Sequence, residues 1–187
     1  MIMKIEPWVL LKLSLDSLGI VDVNIVDADA RPQRRTVHHL IYLLEAFGVD
    51  VLYDFSWGSA GPYSGESLDP HSTSSSLSND LRKLENRDYC QKVIEDNNWH
   101  FSDETIAKIN KFKELIGDKV KSDPDWGMML AMVHFAARNF FSEPRGWRVD
   151  KFVRRTLEGG HPELLPKLNT IQMLKFCQKH LNIPYLG

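Results

Sequence analysis

The segment from Tyr53 to Ser64 constrains the fold of this chain more than any other stretch of the sequence. Aromatic side chains occupy every second position from Tyr53 to Trp57, with Asp54 and Ser56 between them. This period-two alternation predicts a half-buried strand with its aromatic residues facing a core. The glycine and proline at positions 61 and 62 then predict a turn and the entry into a further helix.

Two helices are predicted before this strand. Leucines recur at helical spacing after Pro7, and Gly19 is expected to end the first helix. Between Thr36 and Phe47 the apolar residues again repeat every three or four positions, and Gly48 supplies the next stop. The second helix should therefore bury one face immediately ahead of the strand.

The region after the strand predicts further helices and a β-hairpin. A short helical segment is expected around residues 64–68, and leucines at 77, 81 and 84 mark a helix that Ser72 or Ser74 can cap. Residues 89–94 and 99–101 are interpreted as two short strands around the polar residues 96–98. Helix, strand, short helix, helix and hairpin is the element order of a winged helix-turn-helix.

The second half of the chain predicts only helices. Their apolar stripes follow Ser102, Asp123, Val149 and Leu164, and Gly117 is expected to end the first of them. None of these helices is stable without packing. We predict a mainly α fold, with a winged-helix-like N-terminal part and a small antiparallel sheet packed on a C-terminal helical set. The expected parts are an N-terminal helix and connector (1–33), the winged-helix-like part (34–101) and the helical part (102–187). The last two should form one compact unit.

Composition restricts the classes of function. A formal net charge of -2 gives the whole molecule no attraction for nucleic acid or anionic membrane, so local patches must supply any such binding. The first twenty residues carry charged side chains and predict neither a membrane span nor a leader. Two distant cysteines without a CxxC pair are typical of a reducing compartment, and we expect a cytoplasmic protein.

Catalytic and metal-binding patterns are missing from the sequence. It contains no GxSxG elbow, no phosphate-binding GxxxxGK[ST] loop and no HExxH pair. His134 lies in an apolar helix, where a histidine is more often a satisfied core residue than a ligand. We therefore expect a protein that is not an enzyme and has no metal or cofactor.

Several short motifs resemble those of the YwgA-like proteins, which are similar in turn to the Panacea domain of SocA-type antitoxins. The motifs are the apolar helix 40–44, the aromatic strand 53–55, the turn 61–64, and Leu77 with the Asp-Leu pair 80–81. The resemblance covers roughly residues 34–180 and includes the helix 127–139 and a terminal helix pair. It implies a regulatory, partner-binding protein of bacterial or phage origin, with no catalytic residues.

Polar and basic side chains near the 74–87 helix are candidates for contacts with DNA phosphates and base edges. The alternative is a solvated face beside the leucine stripe, because acidic residues lie among them. The candidates are Ser78, Asn79, Arg82, Lys83 and Arg87.

A stronger basic patch follows residue 144. Arg148, Lys151 and Arg155 fall on one face at helical spacing, and Arg145 precedes them. An acidic protein, a nucleic-acid backbone or the acidic connector of the same chain would suit this patch; a solvated face is the alternative. Trp57 and Tyr63 are further candidates for a partner groove, or are simply core residues of the small sheet.

We predict a non-enzymatic prokaryotic or phage-related regulatory protein that binds a macromolecule, as an antitoxin-like protein or a defence-associated adaptor would. A protein partner is expected. A winged-helix transcriptional repressor that binds DNA is the alternative, and self-association is left open.

Overall fold

The structure, a computed structural model, describes residues 5–20, 31–65, 76–141 and 145–183, excepting the side chains of residues 31 and 32. Helices dominate this part of the chain, and two short strands form an antiparallel sheet. A mainly α fold with a small antiparallel sheet is thereby confirmed. The α-helices are α1 (Pro7–Ser17), α2 (Arg31–Ala46), α3 (Leu77–Lys83), α4 (Arg87–Asp96), α5 (Asp103–Phe112), α6 (Asp118–Ser122), α7 (Pro124–Asn139), α8 (Gly146–Gly160) and α9 (Thr170–His180). The strands are β1 (Ser56–Gly58) and β2 (Gly61–Tyr63).

Helix α7 is the centre of the molecule. Every residue from Gly127 to Ala137 is buried, and α2, α6, α8, α9 and β2 all pack against this helix. A helix that is apolar on all sides has to be enclosed by other elements. Its start is as predicted, because the Asp123 side chain accepts the backbone N–H of Trp126 and Pro124 occupies the first turn.

The predicted helices before the strand are confirmed. α1 begins at Pro7, and Gly19 follows it with a φ of 72°. α2 carries its apolar residues inward, and Gly48 has a φ of 100° just after its last turn. Both glycines take the left-handed conformation that glycine adopts without steric cost.

The aromatic strand is shorter than predicted. Val51 and Tyr53 are buried while their neighbours are exposed, so the alternation is real, but Leu52 has a φ of 61° that interrupts extended geometry. Only Ser56–Gly58 pairs, with Gly61–Tyr63, and Trp57 lies opposite Pro62. The segment predicted as a turn and helix entry is therefore the second strand. The helix predicted around 64–68 lies mostly outside the described residues.

The predicted hairpin at 89–101 is wrong. Residues 87–96 form α4, whose N-terminus is capped by the Asn86 side chain accepting the Tyr89 N–H. Cys90 and Ile94 are its buried residues, and their four-residue spacing fits one helical face. Asn98, with a φ of 51°, turns the chain after the helix. The residues expected to form the wing thus form a second helix after α3.

Two other predicted boundaries differ. Ser76 caps α3, and the helix ends by Leu84, so it is shorter than the predicted 74–87 helix. Ser72 and Ser74 lie outside the described residues. Gly117 does not end the helical region after α5, because a π-helical turn (Lys113–Gly117) joins α5 directly to α6.

The C-terminal region confirms the predicted helical character. Val149, Val153 and Leu157 form the buried stripe of α8. A 3-10 segment (Pro162–Lys167) then separates α8 from α9, where the sequence predicted one helix running from Leu164. Side chains from both halves of the chain contribute to the same hydrophobic core.

Candidate partner-binding surface

The outer side of α8 combines basic and aromatic side chains. Since Val149, Val153 and Leu157 point inward, the opposite face of the helix is directed to the solvent. Trp147 is 62% exposed, an unusual state for the largest apolar side chain. We call the exposed basic and aromatic residues Arg145, Trp147, Arg148, Lys151 and Arg155 the α8 face.

Positive charge on the α8 face is only partly offset by its own helix, in which Glu158 is exposed one turn beyond Arg155. Asp150 accepts from the Nε of Arg154 at 2.8 Å and from the hydroxyl of Thr170 at 2.7 Å, so this carboxylate is held between α8 and α9. The guanidinium of Arg148 lies 5.3 Å from the ring centre of Trp147, within cation–π range. The face therefore presents a cation and an aromatic surface together.

A cluster of aromatic rings lies between α8, the end of α7 and the β1–β2 hairpin. Trp57 lies 5.1 Å from Phe152, 5.6 Å from Phe140 and 5.7 Å from Phe135, measured between ring centres. Trp57 is only half-buried, but its ring packs the β1–β2 hairpin against α7 and α8. This position suits a packing residue, and Phe140, 44% exposed, extends the aromatic surface outward.

The α3 candidates are placed on a different part of the molecule, where α3 packs on α1. Asn79 accepts from Arg82 at 3.4 Å, and the Lys83 ammonium pairs with the buried Asp80 carboxylate at 2.8 Å. Arg87 begins α4. The exposed basic side chains of α3, α4 and their turn are matched in number by acidic ones: Arg82, Lys83, Arg87 and Lys92 against Glu85, Asp88, Glu95 and Asp96.

Ser78 and Tyr63 meet in a polar network that sequence reasoning missed. The Tyr63 hydroxyl is 2.9 Å from the Ser78 Oγ, and the Tyr63 ring stacks on the buried His38 ring at 4.5 Å. His38 Nδ1 accepts the backbone N–H of Ser64 at 3.3 Å, and its Nε2 lies 3.3 Å from the Ser78 Oγ. The network joins α2, β2 and the start of α3. No sequence signal marked His38, because its partners lie 26 and 40 residues away.

The geometry of His38 opposes a catalytic serine–histidine pair. A backbone N–H can only donate, so Nδ1 must be the acceptor and the neutral ring carries its proton on Nε2. Nε2 then donates to Ser78, whereas a nucleophilic serine needs a histidine nitrogen that accepts its proton. Burial lowers the pKa of His38 to about 3, which keeps the ring neutral. The network is structural.

His134 is a satisfied core histidine, as predicted. Its Nε2 donates to the Leu181 carbonyl at 2.9 Å, and its Nδ1 accepts from the Tyr42 hydroxyl at 2.6 Å. Burial lowers its pKa to about 4. His134 therefore links the C-terminal end of α9 to α7 by a hydrogen bond.

The described part of the chain was also compared with the requirements for a metal site, a reactive thiol and a membrane-spanning helix. No group of three histidine, cysteine or acidic side chains there is arranged to hold a metal ion. Cys90 and Cys177 are buried, unpaired thiols, and burial raises the pKa of Cys177. None of the described helices combines the length and apolar character that crossing a bilayer requires.

Comparison with protein-family models, with curated proteins and with solved structures gave no match to this chain. The YwgA-like and Panacea relationship therefore stays a prediction from the motifs.

Proposed function

We propose that this chain is a non-enzymatic, cytoplasmic regulatory protein that binds a protein partner through the α8 face. The observation that carries the proposal is the 62% exposed Trp147 flanked by Arg148 and Lys151 on a helix whose other side is fixed in the core. Tryptophan and arginine are the side chains most enriched at interface hot spots. A rigid helix also presents them without a large ordering cost.

Charge complementarity gives the chemistry of the partner. Arg145, Arg148, Lys151 and Arg155 favour an acidic segment, and Trp147 favours apolar side chains within that segment. The motif resemblance supports a prokaryotic or phage-related setting, in which the protein would act as an antitoxin-like regulator or a defence-associated adaptor.

The alternative, a DNA-binding repressor that uses the α3 region, has weaker support. Exposed charges on α3 and α4 balance, and the predicted wing is replaced by α4. Nucleic-acid binding depends first on a concentration of positive charge against phosphate. The experiment described next also shows whether the α8 face binds DNA instead of a protein.

The test pairs two charge-reversal variants, R148E/K151E on α8 and R82E/K83E on α3. A protein captured from the native host by the wild-type chain is purified and its affinity for each variant is measured. We expect R148E/K151E to weaken binding by about 100-fold and R82E/K83E by less than about threefold. Equal affinities for the two variants would contradict the proposal, as would salt-dependent DNA binding that only R148E/K151E removes.

A further inference from the structure

A cleft lies between the first half of α2, the β1–β2 turn and the segment that joins α8 to the 3-10 helix. It consists of two cavities of about 540 and 270 Å³. Arg35 and His39 line both cavities, so the two spaces adjoin at these side chains. The combined space is in the range of small-molecule sites.

The wall formed by the hairpin turn is held in place. His39 Nε2 donates to the Ala60 carbonyl at 2.8 Å. Gly61 has a φ of 99°, and a Cβ at this position would lie 2.7 Å from Met132 Cγ, so the turn sits directly on α7. The small cavity is therefore bounded by a fixed turn and a buried histidine, and it exists before any ligand binds.

Arg35 is the one arginine that lines the cleft, and its charge is not matched by a carboxylate within the described residues. Its recorded polar contact is with Nε2 of His161 at 3.4 Å, and Nδ1 of His161 lies 3.1 Å from the Glu163 carboxylate. A neutral His161 that donates from Nδ1 to Glu163 accepts from Arg35 on Nε2. A guanidinium has five N–H donors, so most of those on Arg35 remain for a ligand.

The acidic side chains of the cleft are already engaged. Asp125 pairs with the Lys167 ammonium at 2.8 Å, and Glu163 is bonded to His161. The remaining lining of the larger cavity includes the apolar side chains of Pro124 and Met128. Among the described residues that line the cleft, Arg35 is the cation without an acidic partner, and it lies next to an apolar wall. This combination indicates which ligand chemistry fits.

We propose that this cleft binds a small carboxylic acid with an apolar body. The carboxylate is held by the guanidinium of Arg35, for which a planar two-oxygen group is the best match, and the apolar body lies against Met128 and Pro124. The inference is independent of the partner-binding proposal, because the cleft is formed by α2 and the hairpin turn rather than by the exposed side of α8.

The test uses 3-phenylpropanoate and its neutral amide as probes on the full chain labelled with ¹³C at the methionine methyls. At about 10 mM, where a fragment of this size is expected to bind, the acid should shift the Met128 methyl and leave the Met173 methyl on α9 unchanged. The amide should bind at least about tenfold more weakly, because it cannot form the charged pair.

Single variants test whether Arg35 supplies the positive charge that binds the carboxylate. R35Q should weaken binding of the acid by about tenfold or more, R35K should weaken it less, and K92Q on α4 should bind the acid as the wild type does. Arg35 is exposed, so the R35Q spectrum should otherwise match the wild type and show an intact fold. Equal binding of acid and amide, an unchanged affinity of R35Q, an equal loss in K92Q, or no Met128 shift would each overturn the proposal.

Discussion

Helices α4 and α8 expose aromatic side chains to almost the same extent, but their electrostatic surroundings differ. Tyr89 on α4 is 61% exposed and Trp147 on α8 is 62% exposed. Tyr89 lies among charges that cancel, whereas Trp147 lies among basic side chains, and Asp150, an acid of the same helix, is bonded to Arg154 and Thr170. An exposed aromatic ring alone does not define an interface; the difference lies in the charge that accompanies it.

The two regions also use their polar groups differently. Near α3, the candidate Ser78 is bound to Tyr63 and His38, and Lys83 is paired with Asp80. These side chains hold the helix to the core. On α8 the core contacts are made by Val149, Val153 and Leu157, and the basic side chains of Arg148, Lys151 and Arg155 are directed to the solvent. Four experiments test this difference between the α3 region and α8.

Acidification should have the largest effect, and it should affect both regions together. Burial lowers the pKa of His38 to about 3 and those of His39 and His134 to about 4, so the unfolded chain binds more protons once the pH falls below 6.5. Stability is thus present above pH 6.5 and is lost as the pH falls toward 4. Glu45, whose pKa is raised to about 7 chiefly by burial, partly offsets this loss.

The expected slope averages about 2 kcal/mol per pH unit between pH 6.5 and 4.5. Urea unfolding at several pH values measures it, with tryptophan fluorescence and far-UV circular dichroism as two probes. A pH-independent free energy of unfolding would contradict the neutral, buried state of these histidines.

Charge reversal on α8 should have the next largest effect. R148E/K151E is expected to weaken partner binding by about 3 kcal/mol, because two attractive contacts become repulsive. Calorimetric titration of the purified partner measures this loss. R82E/K83E is the matched control, and a comparable loss there would remove the distinction between the two regions.

His38→Ala should affect the α3 region and spare the α8 face. The change leaves the Ser64 N–H and the Ser78 hydroxyl without their imidazole partner, which should cost about 2 kcal/mol of unfolding free energy. Hydrogen exchange should accelerate first in α3. A loss of partner affinity in the folded variant would show that the partner contacts this region after all.

Trp147→Ala should weaken partner binding by at least about tenfold while changing stability by less than about 0.5 kcal/mol, because the ring is mostly in water. Tyr89→Ala is the matched control, with an aromatic ring of equal exposure, and should leave the affinity unchanged. Thermal unfolding of both variants separates binding from folding. If both variants lost the same affinity for the partner, the basic residues around Trp147 would not be what makes α8 the interface.

Much of the helical framework was predictable, since it depends on local signals. The apolar run of α7 and its Asp123–Pro124 start marked a buried helix, and Gly19 and Gly48 marked helix ends. The α8 patch was also predictable, because helical spacing alone brings Arg148, Lys151 and Arg155 to one face.

The errors arose where short segments carry ambiguous local signals. Residues 89–94 contain aromatic and β-branched side chains that suit a strand, but Cys90 and Ile94 bury one helical face and Asn86 provides the cap. Packing decided between these possibilities, and a single sequence does not encode that choice locally.

The remaining features depend on contacts between distant residues. His38 meets Ser64 and Ser78 only after folding, and the cleft brings Arg35 to His161 across 126 positions. Aromatic alternation correctly placed Tyr53 in the core, but it did not reveal that Trp57 would pack the hairpin against α8.

Hydroxyl-radical footprinting of the complex distinguishes partner binding through the α8 face from binding through the α3–α4 region. Trp147 and Tyr89 are equally exposed in the free chain, so they serve as internal reporters for the two regions. Partner binding through the α8 face predicts that oxidation of Trp147 falls several-fold in the complex while oxidation of Tyr89 is unchanged. Protection of Tyr89 with continued oxidation of Trp147 would contradict the account.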